Sequence, residues 1–151
     1  MDLNFVAIPR TGSTSIASAL GVRHEHNRAS EVPAPRVAVV RHPATRVRSA
    51  YRLARTNPHE LARSCLGDAR TFREFLQRDN LLTWPQSYWL DAPVDLLLRF
   101  ETLPEEFELH FGEPLPHMND YSRDVEDDPD DCADLIASLY REDFERFGYV
   151  P

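Results

Sequence analysis

Residues 7–20 read AIPRTGSTSIASAL. The apolar run over residues 3–8 stops at Pro9; being short and mostly apolar, it reads as a buried strand. Ser13–Leu20 carries a helical pattern and stops at Gly21, a residue suited to a helix C-terminus. Between them lies a loop with one arginine and one glycine, and hydroxyl residues open the helix. Unpaired N–H groups and the helix dipole at such an N-terminus favour an anion. Gly12 lets the backbone come close to a ligand. Thr11, Ser13, Thr14 and Ser15 offer hydroxyl donors, and Arg10 offers charge. The plain alternative is an ordinary turn in which a serine caps the helix.

Outward from this stretch, strands and helices alternate. Arg36–Val40, RVAVV, reads as a second buried strand. Residues 45–55 read as a helix with Val47, Tyr51 and Ala54 on one face, and residues 71–78 as a short one. Residues 95–100, DLLLRF, read as a third strand, followed by a helix over Leu103–Phe111. A last helix is expected over residues 130–147, broken near its middle. Short apolar strands alternating with helices predict an α/β fold with a parallel sheet covered on both faces. Ligands of such sheets bind at the carboxyl ends of the strands.

At 151 residues the chain fits one domain, 1–151. No apolar run approaches the roughly 20 residues of a membrane span. MDLNFVAIP has no basic region ahead of an apolar stretch and does not read as a secretory leader, so a cytoplasmic location is expected. Cys65 and Cys132 stand alone and are expected to remain thiols. The net charge of −8 is uneven: residues 1–78 carry thirteen Arg against six acids, whereas residues 79–151 carry four against nineteen. The first part can attract an anion, while the second would repel a nucleic acid, which is not an expected partner. Every basic residue is Arg, so each cation–oxyanion contact must use a guanidinium.

The opening loop is not the usual nucleoside-triphosphate loop, G-x-x-x-x-G-K-[ST]. Its first glycine and its lysine are missing. The second strand leads into Arg41, where a metal-dependent phosphotransferase would need a carboxylate. A phosphate-like group neutralised by Arg, with no metal, suits the loop better. In VAVVRHPATRVRSAYR, residues 37–52, Arg41 ends a strand and Ser49 follows eight residues later in a helix. That spacing lets both reach one phosphate. A strand-end Arg beside a sheet is costly unless paired. Arg46, Arg48, Arg52 and Arg55 read mostly as a solvated helix face.

These segments resemble those of sulfotransferases that use 3′-phosphoadenosine 5′-phosphosulfate (PAPS), in particular the carbohydrate type and its small bacterial counterparts. IPRTGSTS is similar to the family's 5′-phosphosulfate loop, and VVRHPATRVRSAYR to its 3′-phosphate motif. LLLRFETLPEEF, LPHMNDYSR and YREDFERFGY resemble three further family segments, in the family's order. The resemblance runs from about residue 5 to 149. It implies a P-loop-like three-layer fold with a short central parallel sheet flanked by helices. It also implies PAPS as the sulfuryl donor, no metal, and a hydroxyl acceptor, with a carbohydrate favoured by resemblance alone. By position, Arg10, Thr11, Gly12, Ser13, Thr14 and Ser15 would hold the 5′-phosphosulfate, and Arg41 and Ser49 the 3′-phosphate. Asn119 and Arg123 would close over the nucleotide. The family usually has Lys where this chain has Arg10. An Arg stabilises charge on the departing oxygen but is a poorer proton donor.

Sulfuryl transfer to a hydroxyl needs a base, and His titrates near neutral pH. By resemblance the base lies between the two donor motifs, in RHEHNRASEV, which offers His24 and His26. The pattern from His26 to Glu31 favours His26, with His24 as the alternative. As a metal site the pair offers too few ligands. His42 is expected behind the phosphate motif and His117 in a structural loop. Glu101 is expected to hold a turn or the basic loop. The acidic run DVEDDPDDCAD lacks the pattern of a calcium loop and is expected to cap the last helix. Trp84, Tyr88 and Trp89 read as core or as a sugar-stacking platform. Two rival readings stay open: a kinase-like phosphotransferase, and a nucleotide-binding module without catalysis.

Overall fold

The computed structural model describes residues 2–116 and 132–151. In chain order its elements are β1 (Asn4–Val6), α1 (Ser13–Leu20), a 3-10 turn (Ala29–Glu31), β2 (Arg36–Val40), α2 (Pro43–Thr56), α3 (Glu60–Leu66), α4 (Phe72–Leu76) and α5 (Gln86–Trp89). Then come β3 (Leu96–Arg99), a 3-10 turn (Phe100–Thr102), α6 (Leu103–Phe111), α7 (Ala133–Leu139) and α8 (Arg141–Phe147). The protein is α/β, with a short three-stranded parallel sheet flanked by helices. The chain divides into two compact units: Met1–Arg41 with Gln86–Asp120, and His42–Pro85 with Tyr121–Pro151.

The first unit holds the sheet, ordered β1-β2-β3, all parallel. Val37 and Val39 of β2 point to one face, where they pack with Leu3, Leu98, Ile16 of α1, and Leu103 and Phe107 of α6. Ala38 and Val40 point to the opposite face and are equally buried. Burial on both faces is why RVAVV carries no polar alternation. β1 is shorter than residues 3–8. Its ladder with β2 ends at Val6, and the next carbonyl, that of Ala7, bonds a histidine ring instead. β3 also ends early, because Phe100–Thr102 coils into a 3-10 turn. The Arg99 N–H there donates to Glu106 Oε2 at 2.6 Å.

The second unit is helical among its described residues. α2 starts at Pro43 rather than at residue 45, since proline suits the first helical position. His42 Nδ1 accepts from the Ala44 N–H at 3.2 Å. Its Nε2–H donates to the Val150 carbonyl at 2.9 Å, so both acceptors assign one neutral tautomer. α3 was not expected; it has His59 as its cap and ends at Gly67. The expected break in the last helix falls at Tyr140, between α7 and α8. Val47, Phe72, Ile136, Tyr140 and Phe144 form one core cluster, and Ala50, Ala54, Phe75 and Leu82 form another. Cys65 and Cys132 are buried and form no disulfide. Arg46 departs from a solvated helix face: it is fully buried, and its Nη2 donates to the Trp84 carbonyl at 2.6 Å. Arg48 and Arg52 are half-buried, and Arg55 is exposed.

Candidate functional site

The carboxyl ends of all three strands meet in the first unit. β1 leads into the loop 7–12, β2 into Arg41, and β3 into Phe100. Arg41 is 4% exposed, and the unit builds its position from three sides. Its guanidinium lies over the Phe100 ring, 4.0 Å from the centroid. Its Nη1 donates to the Arg10 carbonyl at 3.2 Å. Its backbone is gripped by Gln86 of α5, whose Oε1 accepts from the Arg41 N–H at 2.8 Å. The same amide's Nε2 donates to the Arg41 carbonyl at 2.7 Å. Stacking on an aromatic face and donation to a carbonyl offset part of the cost of burying this cation.

The loop adopts two left-handed residues, Arg10 at φ 65 and Gly12 at φ 79. Glycine carries that conformation without cost; arginine does so with strain of about 1–3 kcal/mol. The strained Arg10 is the residue whose carbonyl receives Arg41. At Gly12 a Cβ would stand 3.1 Å from Leu103 Cδ2 and 3.4 Å from Phe100 Cδ2. Thr11 is buried, and its Oγ1 donates to the Ile8 carbonyl at 2.8 Å; that hydrogen closes the turn. Ser13 and Ser15 are buried in the first turn of α1, and Thr14 is exposed. No side chain caps α1, so the alternative of a serine N-cap is not what forms.

Both candidate bases sit against this loop. His24 Nε2 lies 2.7 Å from Ser13 Oγ. His26 Nδ1 lies 2.7 Å from the Ala7 carbonyl. A carbonyl only accepts, so Nδ1 carries the hydrogen, and in the neutral ring Nε2 carries the lone pair. That Nε2 makes no hydrogen bond among the described residues. The two rings meet edge-on, 4.9 Å apart. Burial lowers the pKa of His24. Burial lowers that of His26 too, opposed by the Ala7 hydrogen bond and assisted by His24. Both are therefore neutral near pH 7, the state a base requires.

The segment carrying these histidines is pinned to the end of α5. Ser30 donates to Asp91 twice, from N–H at 2.9 Å and from Oγ at 2.6 Å. Arg28 Nε donates to the Tyr88 carbonyl at 3.1 Å and stands 3.3 Å from Asp91 Oδ2. Its guanidinium also covers the Tyr88 ring at 4.4 Å. Trp89 is 4% exposed and tilts against His26 at 6.1 Å. Tyr88 and Trp89 belong to α5; Trp89 is buried, and Tyr88 is half-buried, so within the unit both pack toward the histidine segment.

Ser49 is buried in α2 of the second unit. Asn119, Arg123 and His117 lie outside the described residues, as does the acidic run up to residue 131. Glu101 is exposed in the 3-10 turn after β3. Gln86, Phe100 and the Ala7 carbonyl were not singled out in the sequence. Gln86 and Arg41 are 45 positions apart, and no local pattern links them. Comparison of the chain with family models, with curated proteins and with solved structures finds no match.

Proposed function

We propose that the chain is a sulfotransferase that moves a sulfuryl group from PAPS to an acceptor hydroxyl, with a carbohydrate as the favoured acceptor class and a P-loop-like reading of the β1–α1 connection. The observation that carries the proposal is the meeting, at the carboxyl ends of the strands, of the loop that holds Arg10 and Gly12 with Arg41 and the histidine pair. The residues suit the donor's chemistry. Arg10 and Arg41 bring two guanidiniums to this end of the sheet, the first turn of α1 has no side-chain cap, and Gly12 holds the left-handed turn that precedes it. Bound there, the donor supplies a sulfuryl group and a phosphate leaving group.

Each residue then has a role. Arg10, with Gly12–Ser15, would hold the 5′ end, and Arg41 the 3′-phosphate. Charge developing on the departing oxygen would be met by Arg10 and the α1 N–H groups. His26 would take the acceptor's proton on Nε2, since Nδ1 is committed to Ala7. His24, on Ser13, is the second candidate for that proton.

Calorimetry tests the proposal. The desulfated nucleotide, 3′-phosphoadenosine 5′-phosphate (PAP), is expected to bind in the presence of a chelator, and Arg41→Ala to abolish measurable heat. Binding of ATP with magnesium and none of PAP would favour the phosphotransferase reading instead.

A further inference from the structure

The transfer chemistry above leaves the short Ser13–His24 contact without a role of its own. The two atoms, Oγ and Nε2, are 2.7 Å apart, the reach at which a base activates a hydroxyl. Ser13 is the first residue of α1, an eight-residue helix. The positive end of its dipole and its first-turn N–H groups stabilise negative charge on Oγ or on an oxyanion formed beside it. His24 is exposed, and the partial covering of its ring lowers its pKa, so near neutral pH its ring nitrogen is able to accept. The ring is set edge-on against His26 at 75°, and His26 is itself fixed by the Ala7 carbonyl. The other charged groups near it in the chain, Arg23 and Glu25, stand 3.8 Å from each other in an exposed pair.

We propose that Ser13 is a covalent nucleophile, with His24 as its general base, toward carboxylic esters that carry a good leaving group. The step balances within the pair and its substrate. The Ser13 O–H bond breaks and its proton passes to His24 Nε2. Oγ bonds to the carbonyl carbon, and the carbon–oxygen bond to the leaving group breaks with its electron pair. The leaving group takes the proton from His24. Water, deprotonated by the same ring, then attacks the Ser13 ester; the acyl carbon–Oγ bond breaks, Oγ takes the proton back from His24, and the acid is freed. Where hydrolytic triads add a carboxylate to orient the base, His24 has the edge of His26. The pair is therefore a slower nucleophile than a full triad. This activity uses two residues also assigned to donor binding and proton transfer, and it needs no nucleotide.

A fluorophosphonate probe reads the nucleophile directly, because Oγ displaces fluoride from phosphorus by the same attack. Intact mass spectrometry of the whole chain should show one adduct, mapped by peptide sequencing to Ser13. The labelling rate should rise with pH through the His24 titration, below the usual 6.5, and then level off. His24→Gln should slow it about a hundredfold or more, the usual contribution of a general base. Ser18→Ala, exposed on the same helix, should leave it unchanged. Absence of a Ser13 adduct on wild-type protein would overturn the proposal. So would labelling of folded His24→Gln at the wild-type rate. Neither result bears on whether PAP binds.

Discussion

Gly12→Ala probes the loop at its tightest point. The residue sits at φ 79, where an alanine costs about 1–2 kcal/mol in backbone strain. Its new methyl would also meet Leu103 Cδ2 at 3.1 Å, a contact that forces a buried leucine to shift and adds up to about 1 kcal/mol. Gly21→Ala supplies the comparison. It has φ 66 with nothing within 4 Å of its Cβ, so it carries the strain alone. We expect both variants to melt below wild type, Gly21→Ala by about 2–8 °C for a chain of this size, and Gly12→Ala by more. The difference between them isolates the contact. In a Leu103→Ala background, which removes the facing atom, the cost of Gly12→Ala should fall to that of Gly21→Ala. Calorimetric melting of the four proteins and the double variant decides it. Equal stability of Gly12→Ala and wild type would show that the loop does not hold this left-handed turn against Leu103, and the anion-loop geometry would fall with it.

Arg10→Gly keeps the left-handed backbone and removes the guanidinium. Strain relief of about 1–2 kcal/mol and the entropy cost of glycine, about 0.5–1 kcal/mol, nearly offset, so stability should change little. PAP affinity should drop about tenfold to a hundredfold with the loss of charged hydrogen bonds. The histidine pair titrates below 6.5 in the folded state, because burial opposes its charge. The stability it contributes is then present above pH about 6.5 and lost as pH falls through the folded pKa values. Urea unfolding across that range should show the slope, and His26→Gln should flatten it. Tyr140 shows the opposite sign. Burial pushes its phenol up to about 12, with Arg46 pulling it down and Asp143 adding to the rise. Its contribution is complete below pH about 10 and lost as pH climbs toward 12. Phenolate absorbance should follow that course, and Tyr140→Phe, which strips the 2.6 Å bond to the Thr83 carbonyl, should cost about 1 kcal/mol.

Much of the fold was legible because it rests on local signals. Arg36–Val40, Ser13–Leu20 and Leu103–Phe111 keep their expected bounds. In each, an apolar pattern ends at a glycine, a proline or a charged residue. α3 was missed because ELARSCL has only Ala62 and Cys65 as buried positions, too few to set a helical period. β1 ended early for a tertiary reason, the His26 bond to Ala7, which no window around residue 7 contains. The site divides the same way. Arg10, Gly12, Ser13 and Arg41 stand out by residue type at strand ends. Gln86, Phe100 and the Asp91–Ser30 clamp depend on segments brought together by the sheet, so their roles were hidden. Arg46 is the sharpest case. It lies among solvated-looking arginines, yet it turns into the core to reach the Trp84 carbonyl.

Sulfuryl transfer itself is the central claim. Labelled PAPS should be offered with a panel of sugars and phenols in the presence of a chelator, to wild type and to His26→Ala. The account predicts labelled product from wild type without metal, and a rate lower by about a hundredfold or more in the variant. Equal rates in the two proteins would remove His26 as the base. No labelled product from any acceptor, with PAP bound tightly, would contradict the enzyme and leave a nucleotide-binding module.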